Sequence, residues 1–354
     1  MATFSETGLQ LVVTLIKIAL IVVVMLTAIA YLSWLERKVV AHIQARWGPY
    51  RVGPHGLLQP LADGIKFILK EDIVPLEADK VIYWLAPFLG FTLAFLSIAV
   101  IPFGEGFTIY GHAIKFQITD LNVGLLFIFA VTSLGVYSIA LAGWSSNSKY
   151  PLLGGLRSSA QMISYELSLG LAVVGVLMIA GTLSLRGIVN AQSGFWHVGG
   201  TSTFLPRWNV FVQPVGFLVY IMAAIAETNR VPFDLPEGET ELVGGFHTEY
   251  SSMKFAMFFM AEYVNMITVS CLATLLFFGG WHGPAFGPYA LRVILPVFWF
   301  CLKLFCFLFF YIWMRGTLPR FRYDQLMAFG WKFLLPVGVL NILVTSFVVA
   351  WTSG

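Results

Sequence analysis

Charge is scarce in this chain: Asp, Glu, Lys and Arg make up only 11% of its 354 residues. So few ionisable groups cannot solvate a water-facing surface, and the 58% hydrophobic content exceeds the roughly 45–50% of ordinary soluble domains. Cysteine is almost as rare. Cys271, Cys301 and Cys306 show no CxxC spacing and fall in apolar runs, where a thiol packs as a small hydrophobe, so no iron–sulfur cluster or metal is expected on this chain. GxGxxG, Walker A, HExxH and GxSxG patterns are all missing, which removes nucleotide, flavin and recognisable hydrolytic sites from consideration. No repeat period is visible either, so a transporter built from two detectable halves is not supported.

Long apolar runs are what the chain has in abundance. Runs of about 20 residues, enough to cross a bilayer, lie at Leu11–Leu35, Val81–Phe103, Leu121–Trp144, Ser159–Ala180, Asn209–Ala226, Lys254–Phe278, Ala290–Met314 and Trp331–Trp351. The reading is an all-α polytopic membrane protein of about eight transmembrane helices, forming a single membrane domain over residues 1–354. Ala28-Ile29-Ala30 resembles a signal-cleavage site, but the first ten residues hold Glu6 and no cation, so the first span is expected to stay.

Lys and Arg gather in the loops after odd-numbered spans, from Arg37 and Lys38 through Arg230 to Arg322, whereas the opposite loops hold only Lys115, Arg186, Arg207 and Arg292. The positive-inside rule then puts the odd loops in the cytoplasm and both termini on the periplasmic side of a bacterial inner membrane. The formal charge of +3 is therefore a topology signal. Its cations are spread over several loops without patterned aromatic partners, so nucleic acid is not an expected ligand.

Within the first cytoplasmic loop, Leu57, Leu58, Leu61, Ile65, Ile68 and Leu69 form an apolar stripe opposite Asp63, Lys66 and Lys70. This predicts an amphipathic helix over about 57–70, lying in the membrane interface or covering the span ends as an ordinary surface helix. Either placement borders an opening near the cytoplasmic face.

Ionisable residues within spans cost roughly 2.5–3.5 kcal/mol each on insertion scales, so Glu36, Glu166, Glu227 and Glu262 are functional candidates. They converge only where spans 1, 4, 5 and 6 are neighbours. Static pairing is the competing reading, with Glu36 held by Arg37 or Lys38 and Glu227 by Arg230. Lys17 and Lys303 are lone span cations with no assigned role. The segment Ala226–Tyr250 concentrates acids further, setting Glu227, Asp234, Glu237, Glu239, Glu241 and Glu249 against Arg230 alone. Pro232, Pro236 and Gly238 exclude a continuous helix there. The interleaved Phe233, Leu235, Leu242, Val243 and Phe246 want burial, so the acidic loop over 227–253 reads as a folded plug against partner protein.

Several of these segments resemble one family. WLERK at Trp34–Lys38, GPHGLLQPLADGIK at Gly53–Lys66, GWSSNSKYPLLGGLRSSAQMISYEL at Gly143–Leu167, AETNRVPFDLPEGETELVGGFHTEY, FFMAEY at Phe258–Tyr263 and PRFRYDQLM at Pro319–Met327 are similar to the H subunit of proton-pumping NADH:quinone oxidoreductase, respiratory complex I, counterpart of mitochondrial NADH dehydrogenase subunit 1. The resemblance implies eight tilted helices with the amphipathic helix near the mouth of a quinone chamber. Quinone would be the substrate; hydrophilic iron–sulfur and quinone-headgroup-binding subunits on the cytoplasmic side, small and antiporter-like membrane subunits and lipid would be the partners. It places Glu36, Arg37, Arg46, Asp63, Lys66, Arg230 and Asp234 at the chamber or its mouth, and Glu166, Glu227, Glu237, Glu239, Glu241 and Glu262 on a proton path. Two other classes stay open at this point: the anchor subunit of a membrane-bound hydrogenase or formate-hydrogen-lyase, and an independent secondary transporter. Thr182–Trp208 carries no motif and reads as an extension.

Overall fold

A computed structural model describes residues 2–109, 112–198, 201–234, 244–284, 286 and 288–353. Among the described residues, seven helices are long and apolar enough to cross a membrane. The first, α1 (Ala2–Ile43), spans about 63 Å at 1.5 Å per residue and so outruns a hydrocarbon core of about 30 Å. It continues past Leu35 because Glu36 is neutralised by partners from other helices and does not break the turn. The helix α2 (Gln59–Leu69) follows, started by Pro60 at its first turn. None of its residues is buried, and Leu61, Ile65, Ile68 and Leu69 leave their apolar side chains uncovered by protein, as an interfacial helix requires.

Next come α3 (Lys80–Ile98), capped by Asp79, and α4 (Gly124–Ser145), with a short hairpin of β1 (Phe107–Ile109) and β2 (His112–Ile114) between them. Helix α5 (Lys149–Ala180) begins ten residues before the expected Ser159, because Pro151 sits in its first turn where no backbone hydrogen bond is lost. Glu166 thus lies mid-helix rather than in the first two turns. Close approach governs this region: a Cβ on Gly154 would stand 2.7 Å from the Gly245 backbone, and one on Gly143 would stand 2.5 Å from the Pro151 carbonyl oxygen. Gly154→Ala is accordingly expected to lower stability by about 1–3 kcal/mol through overpacking, read as an earlier thermal transition of the solubilised protein.

The fifth expected span, Asn209–Ala226, is not one helix. It is α7 (Asn209–Val212) and α8 (Pro214–Glu227), interrupted at Gln213, so eight full-length spans become seven plus a broken one. Pro214 cannot donate to the preceding turn. Polar side chains from the last span hold the Gln213 side chain at the break: it donates to Thr345 Oγ1 at 2.6 Å and accepts from Asn341 at 2.9 Å. Before it, Thr182–Trp208 folds into α6 (Leu185–Ala191) and a hairpin of β3 (Phe195–Val198) and β4 (Thr201–Pro206).

Helix α9 (Ser252–Phe277) is the central strut, with 61% of its apolar window buried against 11% for α1. It packs on α3, on α10 (Tyr289–Thr317) and on α8. The last span comprises α11 (Tyr323–Phe329), a π turn at Gly330–Leu334 and α12 (Leu335–Ser353). Tyr165 of α5 packs against Gly330 and donates to the Leu326 carbonyl at 2.8 Å. Lys303, unassigned from sequence, donates to the carbonyls of Phe278, Gly280 and His282 at 2.7–2.9 Å and so caps the end of α9. Lys17 reaches the Gln117 carbonyl at 3.3 Å.

Candidate functional site

Glu36, near the end of α1, is the first node of the site and is 4% exposed. It does not pair with its neighbours. Arg37 turns to Asp63 of α2 at 2.6 Å, and Lys38 donates to the carbonyls of Pro49 and His55. Glu36 instead accepts from Arg230 at 3.0 Å, from Arg315 of α10, and from the Tyr263 hydroxyl at 2.6 Å. Arg230 reaches a second carboxylate, Glu262 of α9, at 2.7 Å, and stands over the Tyr263 ring at 4.5 Å. Two carboxylates and two guanidiniums thus meet in one electrically balanced knot, with Glu36 and Arg230 buried and Glu262 and Arg315 partly exposed, and this mutual neutralisation is the condition for keeping charge away from water.

Two cavities flank the knot. The larger is an open cleft of about 530 Å³ between α1, α2 and α9. Its walls are Leu26, Ile29, Phe67, Ile68, Phe259 and Met260; Glu36, Tyr263 and Arg315 line its inner end, and Arg37 and Asp63 line its outer edge at α2. The smaller, of about 60 Å³, lies between α3, α4, α5, α8 and α9 and is lined by Glu227, Asn229, Glu262 and Asn265 together with Thr132 and Ser138. Glu36 borders the first cavity, Glu262 borders the second, and Arg230 binds both.

Asp63 shows how the cleft's outer edge is tied. Burial alone raises its carboxyl, but hydrogen bonds from Arg37 and Gln59 and the charges of Arg37 and Lys66 outweigh that and hold it below the usual carboxylate range. A lowered folded-state value means the α1–α2 tie is fully present above the ordinary carboxylate range, around pH 4, and is lost as pH falls through the lowered value. Protection of the α2 amides, taken against their intrinsic exchange rates, is expected to fall only under such acid, and Asp63→Asn is expected to lower it already at neutral pH.

The remaining expected residues are placed as follows. Arg46 lies exposed beyond α1, donating to Gln44, and Lys66 is exposed with its ammonium 3.7 Å from Asp63. Asp234 is buried and accepts from Arg320 at 3.0 Å. Glu166 accepts from Ser133 of α4 and is within electrostatic range of Glu227, whose Oε2 has no hydrogen-bond partner among the described residues. Glu227 does not pair with Arg230, whose ion pairs here go to Glu36 and Glu262. Glu237, Glu239 and Glu241 fall outside the described residues. Among the described residues no cluster of His, Cys, Asp or Glu could hold a metal ion.

Sequence reasoning missed Arg315, Tyr263, Arg320 and Gln161. Gln161 is fully buried and donates to the carbonyls of Ala226 and Phe233, pinning the end of α8 to the loop that carries Arg230. Tyr263 was within reach, since FFMAEY sets it beside Glu262. Arg315 was not, because only the fold brings the end of α10 against the end of α1.

A family profile described as NADH dehydrogenase matches residues 16–346. The chain is 60% identical to the second of the NADH-quinone oxidoreductase H subunits of Koribacter versatilis, over 97% of its own length and 98% of that protein. The chain belongs to the NADH dehydrogenase family of H subunits. Other members include the first H-type subunit of Solibacter usitatus, 54% identical over 96% of this chain and 98% of its own, and the second of Geobacter metallireducens, 51% identical over 95% of each. Membership makes the chain one subunit of an oxidoreductase assembly, which fits a fold whose large cleft stays open along one side.

Proposed function

We propose that this chain forms the membrane wall of a quinone chamber and couples quinone reduction to proton translocation through its buried carboxylates. The observation that carries the reading is Arg230, which ties Glu36 in the cleft to Glu262 in the second cavity. The cleft suits an amphiphile with a long hydrocarbon tail: its walls are aliphatic and aromatic, its deep end is charged, and its mouth is edged by an interfacial helix. The names of the relatives carry quinone as the electron acceptor, which favours this reading over a hydrogenase anchor.

In mechanism, electrons come from partner subunits, and quinone reduction changes the charge at the deep end of the cleft. That change alters the hold of Glu36, which Arg315 shares, on Arg230. Arg230 then interacts differently with Glu262, and the proton affinities of Glu262, Glu227 and Glu166 follow. Asp234, with Glu237, Glu239 and Glu241 as the resemblance implies, belongs to this route, and the antiporter-like membrane subunits receive it beyond Glu166. Both termini lie on the periplasmic side of the inner membrane.

A photoreactive quinone analogue, irradiated in the intact complex, is expected to label α1, α2 and the first half of α9. Labelling confined to other helices would sink the chamber assignment.

A further inference from the structure

The cavity that holds Glu227 and Glu262 is bounded near the acidic loop by Phe246, His247, Phe258 and Phe259. Three of these are hydrocarbon; His247 can carry a proton. We propose that His247 is the loading residue of this cavity, taking protons from the aqueous side of the loop and passing them through cavity water to Glu227 and Glu262. The inference rests on the proton-coupling reading above.

The position of the ring is fixed by the backbone around it. His247 ends a one-turn helix, Gly245–His247, whose first residue is left-handed with φ 61° and lies buried against Gly154 of α5. Thr248 Oγ1 donates to the Gly245 carbonyl at 2.7 Å and the Tyr250 amide donates to the His247 carbonyl at 3.0 Å, so the turn is closed on both sides. The imidazole stands edge-on to Phe255 at 5.2 Å and to Phe246 at 5.1 Å. It is half-buried, and the next residue, Thr248, is exposed. The residue thus lines the cavity while remaining partly open to solvent.

The chemistry beyond the ring suits transfer. Asn229, Asn265, Thr132 and Ser138 offer the partners that ordered water needs, and the cavity, of about 60 Å³, has room for a few waters at roughly 10–15 Å³ each. Imidazole exchanges protons near neutral pH, which neither a surface carboxylate nor a lysine does unperturbed. The step balances: an imidazolium N–H gives its proton to a cavity water, that water yields one to a carboxylate, and the neutral ring regains a proton from the aqueous side.

The surrounding charges leave this role to His247. Among the described residues, the faces that α3, α4 and α5 turn to the cavity hold no titratable group; α8 contributes Glu227 and α9 contributes Glu262. Lys254, at the start of α9, is paired with Asp72 at 2.9 Å and packed over Trp84. Glu249, on the same loop, accepts the Tyr83 hydroxyl through its backbone carbonyl.

The test uses the assembled complex in proteoliposomes, with His247→Ala, His247→Gln and Glu227→Gln compared per assembled complex. His247→Ala is expected to slow proton translocation about a hundredfold, at the low end for a positioned proton donor, and added imidazole is expected to restore most of it. A wild-type rate overturns the proposal, and so does a loss that imidazole leaves unchanged, since that assigns the ring to packing. Where the alanine variant fails to assemble, His247→Gln decides: a slowed rate with a changed pH profile supports loading, an unchanged profile overturns it. A wild-type rate in Glu227→Gln would instead strike the underlying coupling reading.

Discussion

Replacing Arg230 by methionine is expected to be the most damaging single change in the membrane interior, costing about 3–5 kcal/mol, the usual penalty for removing one partner of a buried ion pair. Arg230 is 6% exposed and serves Glu36 and Glu262 together. Methionine fills much of the volume, so the loss measures charge rather than packing. Glu36 would keep Arg315 and the Tyr263 hydroxyl, which localises the damage at Glu262. Two companions sharpen the test. Arg230→Lys is expected to fall in between, because an ammonium lacks the planar fork that reaches two carboxylates at once. Adding Glu262→Gln to Arg230→Met is expected to recover much of the lost stability, since removing both partners is far cheaper than stranding one. Thermal unfolding of the solubilised protein and the yield of assembled complex provide the measurement; a single variant as stable as wild type would remove Arg230 from its bridging role.

The same knot marks the boundary of what sequence alone discloses. Hydropathy located the spans, because a bilayer imposes a length on each apolar run and the run is visible residue by residue. The amphipathic helix was visible for a similar reason, through the spacing of Leu61, Ile65 and Ile68. Glu36, Glu166, Glu227 and Glu262 stood out because charge inside a span is rare. Partnership was a different matter. Local sequence offered Arg37 to Glu36 and Arg230 to Glu227, and the fold uses neither pair, because Arg37 points to α2 and the turn after α8 swings Arg230 toward α1 and α9. The break at Gln213 was hidden as well. Its apolar flanks read as one span, and the polar side chains that stabilise it, Asn341 and Thr345, come from a helix more than 120 residues later.

Glu227→Gln is expected to separate stability from coupling. The side chain lines the second cavity, its Oε2 has no hydrogen-bond partner among the described residues, and its charged neighbour Glu166 is of like sign. Every one of these features makes a charge at this position costly to the fold, so the neutral, nearly isosteric amide is expected to leave thermal stability unchanged or slightly raised. What the amide removes is the exchangeable proton. Quinone-linked proton translocation per assembled complex is therefore expected to drop at least about tenfold, in keeping with loss of a positioned proton-transfer group. Glu166→Gln is expected to behave alike, with Ser133 still able to donate to the amide oxygen. The contrast with Arg230→Met is the informative part: an ion-pair bridge should lose stability and coupling together, whereas a proton carrier should lose coupling alone. A Glu227→Gln complex that pumps at the wild-type rate would remove this carboxylate from the route, and one that fails to fold would make it a structural anchor.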